Sequence, residues 1–176
     1  MSKPLNEAAV AMLRKPNPAV ITTLRRDGQP VSAATWYLWD DGRVLVNMDE
    51  GRKRLEHMRN NPRVAFDVLD ESDWYTHVSI TGHVDEMRED PDMADIDRIA
   101  RQYTGRPYPQ RERGRISAWI AVDGWFGWGG AQGQRGVWGI AVQDPPLSPF
   151  SRHHGRPRSG RQARDAHGPG RLVSRS

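Results

Sequence analysis

The sequence predicts a mainly β domain: six antiparallel strands at hairpin spacing, with short helices tucked between them, forming a small closed or split barrel. Three observations carry that expectation. Turn signals recur at short intervals, at Arg26-Asp27-Gly28-Gln29 and at Asp40-Asp41-Gly42, and Asp-Gly between apolar runs is a strong hairpin signal. The runs beside these turns are rich in Val, Ile, Thr and Trp, which suit a pleated, half-buried surface. Between the later runs lie two stretches whose apolar residues recur at helical spacing, each closed by Pro or Gly.

Residues 6–13 read as a short helix, stopped by Lys15-Pro16-Asn17-Pro18. Residues 19–24 are a strand, 30–39 return as the second, and 43–48 form the third. A short helix follows Gly51, with Leu55 and Met58 on its apolar side, until Asn60-Asn61-Pro62 stops it. Residues 64–69 are the fourth strand and 75–87 a long fifth. A helix over 91–103 carries Met93, Ile96, Ile99 and Ala100 on one face. A Gly- and Pro-punctuated loop at 104–109 leads to the last strand, 115–128, ending in Gly129-Gly130.

With 176 residues the chain is long enough to bury a real core in one domain. It has no cysteine, which excludes disulfides and thiolate metal sites. No run approaches the length of a membrane span, and the start of the chain is too polar for a secretory signal, so a cytoplasmic protein is expected. The net charge of +4 is unevenly placed. Residues 131–176 hold eight arginines and two aspartates, whereas residues 1–130 hold 18 basic and 20 acidic residues. The organised domain is therefore expected over 1–130, with an Arg/Pro/Gly-rich tail over 131–176 too poor in apolar surface to offset the entropy of ordering. A disordered extension and out-of-frame coding text both give such a composition. Nucleic acid is not an expected partner, because the tail lacks interleaved aromatic residues and a folded platform.

The densest basic cluster in the domain, Arg52-Lys53-Arg54, falls in the first turn of the helix after the third strand. That end of a helix carries the positive pole of the peptide dipoles, so cations there disfavour the helix slightly. Two readings stay open. A phosphate can dock on the free N–H groups, with Arg and Lys as further donors and Gly51 allowing close approach. Alternatively the cluster is a solvated face, with Arg52 or Arg54 paired to Glu56 or Asp49.

Residues 18–128 also carry a resemblance, on the stretches VITTLRRDGQPVSAATWYLWDDGRVLVNMDEGRKRLEHMRNNPRVAFDVLD, DWYTHVSITGHVDEMREDPDMADIDRIARQYTGRPYP and VDGWFGWGG. They resemble the pyridoxamine 5'-phosphate oxidase-like superfamily, specifically its flavin/deazaflavin oxidoreductase branch that uses coenzyme F420. The resemblance implies an FMN-binding-like, six-stranded antiparallel split β-barrel acting as a homodimer. It implies that Arg52, Lys53 and Arg54 hold the cofactor phosphate. The ring would lie along Ser32, Ala33, Ala34, Thr35 and Trp36 and against Asn47 and Met48, with His77 and Ser79 near it on the fifth strand.

The implied activity is hydride transfer from reduced F420 to an electron-poor small molecule, with no dedicated catalytic acid assigned and the substrate unread. FMN is the alternative cofactor. A non-enzymatic carrier of a cofactor or tetrapyrrole is the other class. Each candidate also has a structural reading. Trp36 and Trp39 suit core or dimer packing, Phe66 and Trp119 join them among the apolar strand faces that a dimer would cover, and His77 suits a structural role. Asp67, Asp70, Glu71 and Asp73 read as a solvated loop edge, and Arg106, Arg111 and Arg113 as an exposed charged loop. No metal is expected, since His77 and His83 lack ligand spacing and carboxylate partners.

Overall fold

The computed structural model describes residues 4–132. Asn6 caps the first helix, α1 (Glu7–Leu13), by accepting from the Ala9 N–H. Strands β1 (Ala19–Leu24) and β2 (Pro30–Thr35) form the first hairpin, and β3 (Leu38–Asp40) pairs with β4 (Arg43–Asp49) in the second. Helix α2 (Lys53–Asn60) leads to β5 (Arg63–Leu69) and β6 (His77–Glu89). Helix α3 (Ala94–Thr104) crosses to β7 (Arg115–Trp128), and a short 3-10 turn, Gly129–Ala131, follows.

All strands join one antiparallel sheet in the order β2-β1-β5-β6-β7-β4-β3. Its two edges, β2 and β3, are consecutive in the chain and separated by Trp36 and Tyr37 alone. Two residues span at most about 11 Å between flanking Cα atoms, so the sheet must curl until its edges nearly meet. They do not pair, and the barrel is split at that seam. The expected strand over 30–39 is thus two strands, and the count is seven rather than six. Tyr37 explains the break: it is fully buried at the seam, its ring meets Phe66 and Tyr103 edge-on, and its hydroxyl donates to the Lys15 carbonyl.

The long β6–β7 pair bends at register shifts between Thr81 and Gly82 and between Val84 and Glu86. Gly82 is required there, since a Cβ would lie 2.2 Å from the Ala121 carbonyl oxygen. Inward residues at alternating positions, among them Ile21, Val46, Phe66, Val78, Ile80 and Ile120, fill the barrel with α1 residues Ala9, Met12 and Leu13. On another side α3 packs Ile96 and Ile99 against Leu45 and Trp119. Ala131 is buried as well, and the Gln132 carbonyl accepts from Asn6. The remainder of the expected tail, from residue 133, lies outside the described residues.

A buried polar network fixes α3 and the following loop to the barrel. Asn47 donates to Asp90 and Ser117 at 3.0 Å each and accepts from Arg115 at 2.7 Å. Arg115 also pairs with Asp49, and Asp90 accepts from the N–H groups of Asp95 and Ile96 at the start of α3.

Candidate functional site

Helix α2 begins where β4 ends. Arg52 is the extended residue before the first turn, and no side chain caps the free N–H groups. Its guanidinium turns back to Asp49, with Nε donating at 3.2 Å and a terminal nitrogen 3.1 Å from the same oxygen. Lys53 Nζ lies 3.6 Å from Glu56. These two cations match the solvated-face reading.

Arg54 does not. Among the described residues no carboxylate pairs with it, and one of its terminal nitrogens is the only buried side-chain nitrogen or oxygen without a hydrogen-bond partner. Burial, and then the neighbouring Arg52 charge, lowers its pKa from the ordinary arginine value. A guanidinium carries five donors, and leaving one buried and unmade costs about 1–3 kcal/mol or more. An anion at this helix start would satisfy that donor and the free backbone N–H groups together. Space exists for it: a Cβ added to Gly51 would meet no atom within 4 Å.

Helix α2 contacts β1, and β1 pairs with the edge strand β2. His57 of α2 places Nδ1 3.0 Å from Thr23 Oγ1, and Thr23 pairs with Val31 of β2. β2 is an edge strand, and Ser32, Ala33 and Ala34 are exposed. Ser32 Oγ lies 2.7 Å from Thr22 Oγ1, and Thr35 Oγ1 donates to the Trp36 carbonyl. Trp36 leaves the strand, stays 40% exposed and stacks on Tyr103 at 5.0 Å with an interplanar angle of 11°.

The register places several expected residues on one outer face. Ala34, Val20, Asp67, Ser79 and Phe126 form a continuous row across β2, β1, β5, β6 and β7. The next row holds Ser32, Thr22, Ala65, Thr81 and Gly124. His77 is two residues from Ser79 on the same face, with Nδ1 2.9 Å from the Tyr75 carbonyl oxygen and its ring against the Phe126 edge. Ala33 points the other way. Asn47 and Met48 are both buried, on opposite faces of β4: the Asn47 amide is engaged in the buried network beneath α3, and Met48 is 4% exposed in the barrel core.

Two sequence expectations change. Asp67 is no loop edge: it sits in β5 and accepts the hydroxyl proton of Ser79. The alternation of Val64, Phe66 and Val68 inward with Ala65, Asp67 and Leu69 outward was the available signal. Arg106, Arg111 and Arg113 stay exposed, as expected; Arg111 and Arg113 pair with Asp97 and Asp49, and with Arg52 their loop lines an open cavity of about 530 Å³. Phe66 and Trp119, expected among the surfaces needing cover, are buried within this chain. Among the described residues, the large apolar ones left exposed are Val31, Trp36, Trp74, Tyr75 and Phe126.

Among curated proteins, none matches the chain in sequence. Solved structures do share the fold. An F420 reductase matches at a TM-score of 0.63 and 23% identity, over 69% of this chain and 98% of that one. A conserved hypothetical protein from Mycobacterium tuberculosis matches at 0.59 and 24%, over 72% and 86%. General Stress Protein 26 from Bacillus anthracis str. Sterne matches at 0.56 and 20%, over 69% and 92%. The family model for pyridoxamine 5'-phosphate oxidase matches residues 5–129, nearly all of the described barrel. The chain therefore belongs to the pyridoxamine 5'-phosphate oxidase family of split β-barrels.

Proposed function

We propose that this chain is a cofactor-dependent oxidoreductase that binds coenzyme F420 and transfers hydride to an electron-poor small molecule. One observation carries the reading: the half-buried Arg54 guanidinium, with a buried donor unmet, at an uncapped helix start. A phosphodiester suits that position. Arg54 would hold it, Arg52 and Lys53 would add screened attraction, and the exposed β2 edge would take the ring.

When bound, reduced F420 supplies a hydride. The protein's own part is to hold the ring flat on the outer sheet face, orient the acceptor and exclude water. Fixing donor and acceptor at near-attack distance accounts for about 7–11 kcal/mol of barrier in good cases. Water can protonate the product, so no side chain need act as the acid.

FMN is the other cofactor that the Arg54 site would accept, since both carry a phosphate group. The similarity to an F420 reductase and the likeness of the sequence to the F420-using branch favour the deazaflavin. Vitamin B6 oxidation is disfavoured, because the last strand ends as Gly124-Trp125-Phe126-Gly127-Trp128, without the Trp/Arg ending of that branch.

The exposed Trp36, Trp74, Tyr75 and Phe126 support a homodimer that covers them. A cytoplasmic location is part of the same proposal, and no helix among the described residues is long and apolar enough to cross a membrane. Fluorescence titration of the purified chain with oxidised F420 and with FMN tests the reading. Saturable binding with F420 the tighter ligand supports it, and no binding of either defeats it.

A further inference from the structure

The centre of the outer sheet face carries a carboxylate for which neither the fold nor the phosphate site gives a reason. Asp67 lies in β5, flanked by β1 and β6, in a position where strands seldom place aspartate. It is half-buried, and among the described residues its only polar partner is the Ser79 hydroxyl. No arginine or lysine pairs with it there. A carboxylate can accept about four hydrogen bonds, so most of its capacity is unused.

The direction of the Ser79 bond matters. Its single proton is committed to Asp67, which leaves Ser79 Oγ with lone pairs only. Thr81, next on the same face, commits its proton to the Gly124 carbonyl. At Asp67, Ser79 and Thr81 the face therefore offers acceptors to a ligand. On the β1 side of the pair the floor is shallow, since Ala34 and Val20 continue the Asp67 row and Ala65 and Gly124 lie in the next one, while Phe126 stands beside Ser79 as a wall on the β7 side. A flat floor with an acceptor pair at one place fits a planar heterocycle that presents an N–H at its rim. The pyrimidinedione end shared by flavin and deazaflavin rings carries one such ring N–H, the imide.

We propose that Asp67 and Ser79 form an acceptor pair that takes the imide N–H of the cofactor ring, which makes Asp67 a ring-positioning residue of this chain. The inference rests on the cofactor reading above and deepens it.

The test uses the full-length protein, with FMN and its N3-methyl analogue as probes; the methyl group replaces the imide hydrogen. Flavin fluorescence is titrated with the parent, with Asp67→Ala, and with Asp67→Val, which suits a strand better. The parent should bind FMN at least about tenfold more tightly than the methylated analogue, the scale of one hydrogen bond to a charged group. Both Asp67 variants should bind the two probes within about threefold of each other, mainly through weaker FMN binding. Asp123→Ala, which removes a carboxylate paired with His83, four residues along β6 from Ser79, should keep the parent's discrimination.

Discrimination that persists in both Asp67 variants, or that is absent in the parent, overturns the acceptor pair while leaving the phosphate site standing. Failure of the parent to bind either FMN or F420 overturns both.

Discussion

Replacing Arg54 with alanine separates a cofactor clamp from a surface charge. In the free protein Arg54 makes no ion pair among the described residues and keeps a buried donor unmet beside the Arg52 charge. Its removal therefore loses little native interaction and relieves a like-charge contact. Stability should change by no more than about 0.5–1 kcal/mol, with an increase as acceptable as a decrease. Binding should respond very differently. A hydrogen bond to a charged group contributes about 1.5–3 kcal/mol, so affinity for F420 should fall about 10- to 150-fold.

Arg52→Ala is the comparison. Arg52 is mostly exposed and already paired with Asp49, which keeps Arg115 after the change. Its loss should weaken binding by about 1 kcal/mol or less. Thermal melts without ligand and fluorescence titrations at low and high salt measure both quantities. The parent should lose affinity with salt more steeply than Arg54→Ala. An Arg54→Ala protein that melts far lower yet binds F420 as the parent does would refute the clamp and make Arg54 a structural residue.

Three further outcomes follow from the fold. Arg115→Ala leaves the Asn47 amide oxygen without its donor and Asp49 with only the exposed Arg52 and Arg113, and should cost about 3–5 kcal/mol in urea unfolding. Gly127→Ala would put a Cβ 1.7 Å from the Ala131 carbonyl oxygen, so it should displace the 129–131 turn and cost about 1–3 kcal/mol, read as a lowered Tm. Asp40 is held below the usual carboxylate range chiefly by its hydrogen bond from Arg98, with Trp119 donating as well. A depressed folded pKa means that its contribution is present above about pH 4 and is lost as pH falls through the lower folded value. Melting curves against pH should therefore show a shallower acid limb in Asp40→Asn than in the parent.

Local signals carried most of the barrel. The Asp27-Gly28 turn and the β-branched run before it fixed β1, and the 115–128 strand stands where its pattern put it. The break at Trp36-Tyr37 was not legible, because alternation runs on through it. Only closure of the sheet, with Tyr37 reaching Phe66 and Lys15, makes two strands of that run. The burial of Trp119 likewise depends on partners far away in sequence, Arg88 over its ring and Asp40 accepting from its indole.

At the candidate site, the basic triplet was conspicuous, but its residues looked equivalent. Asp49 and Glu56 engage Arg52 and Lys53 and leave Arg54 apart, a distinction that three-dimensional pairing alone provides. Asn47 was expected at the ring; its partners Asp90, Ser117 and Arg115 come from later segments and hold it inside. Asp67 fell within the strand expected over 64–69, but its neighbours Asp70, Glu71 and Asp73 made it read as one more charge at a loop edge.

The most direct test of the central claim is the identity of the chromophore that copurifies with the chain from a host that makes both FMN and F420. The parent should show a deazaflavin spectrum, with the chromophore largely lost from Arg54→Ala at equal yield of folded protein. A colourless parent that takes up neither cofactor on titration would contradict it.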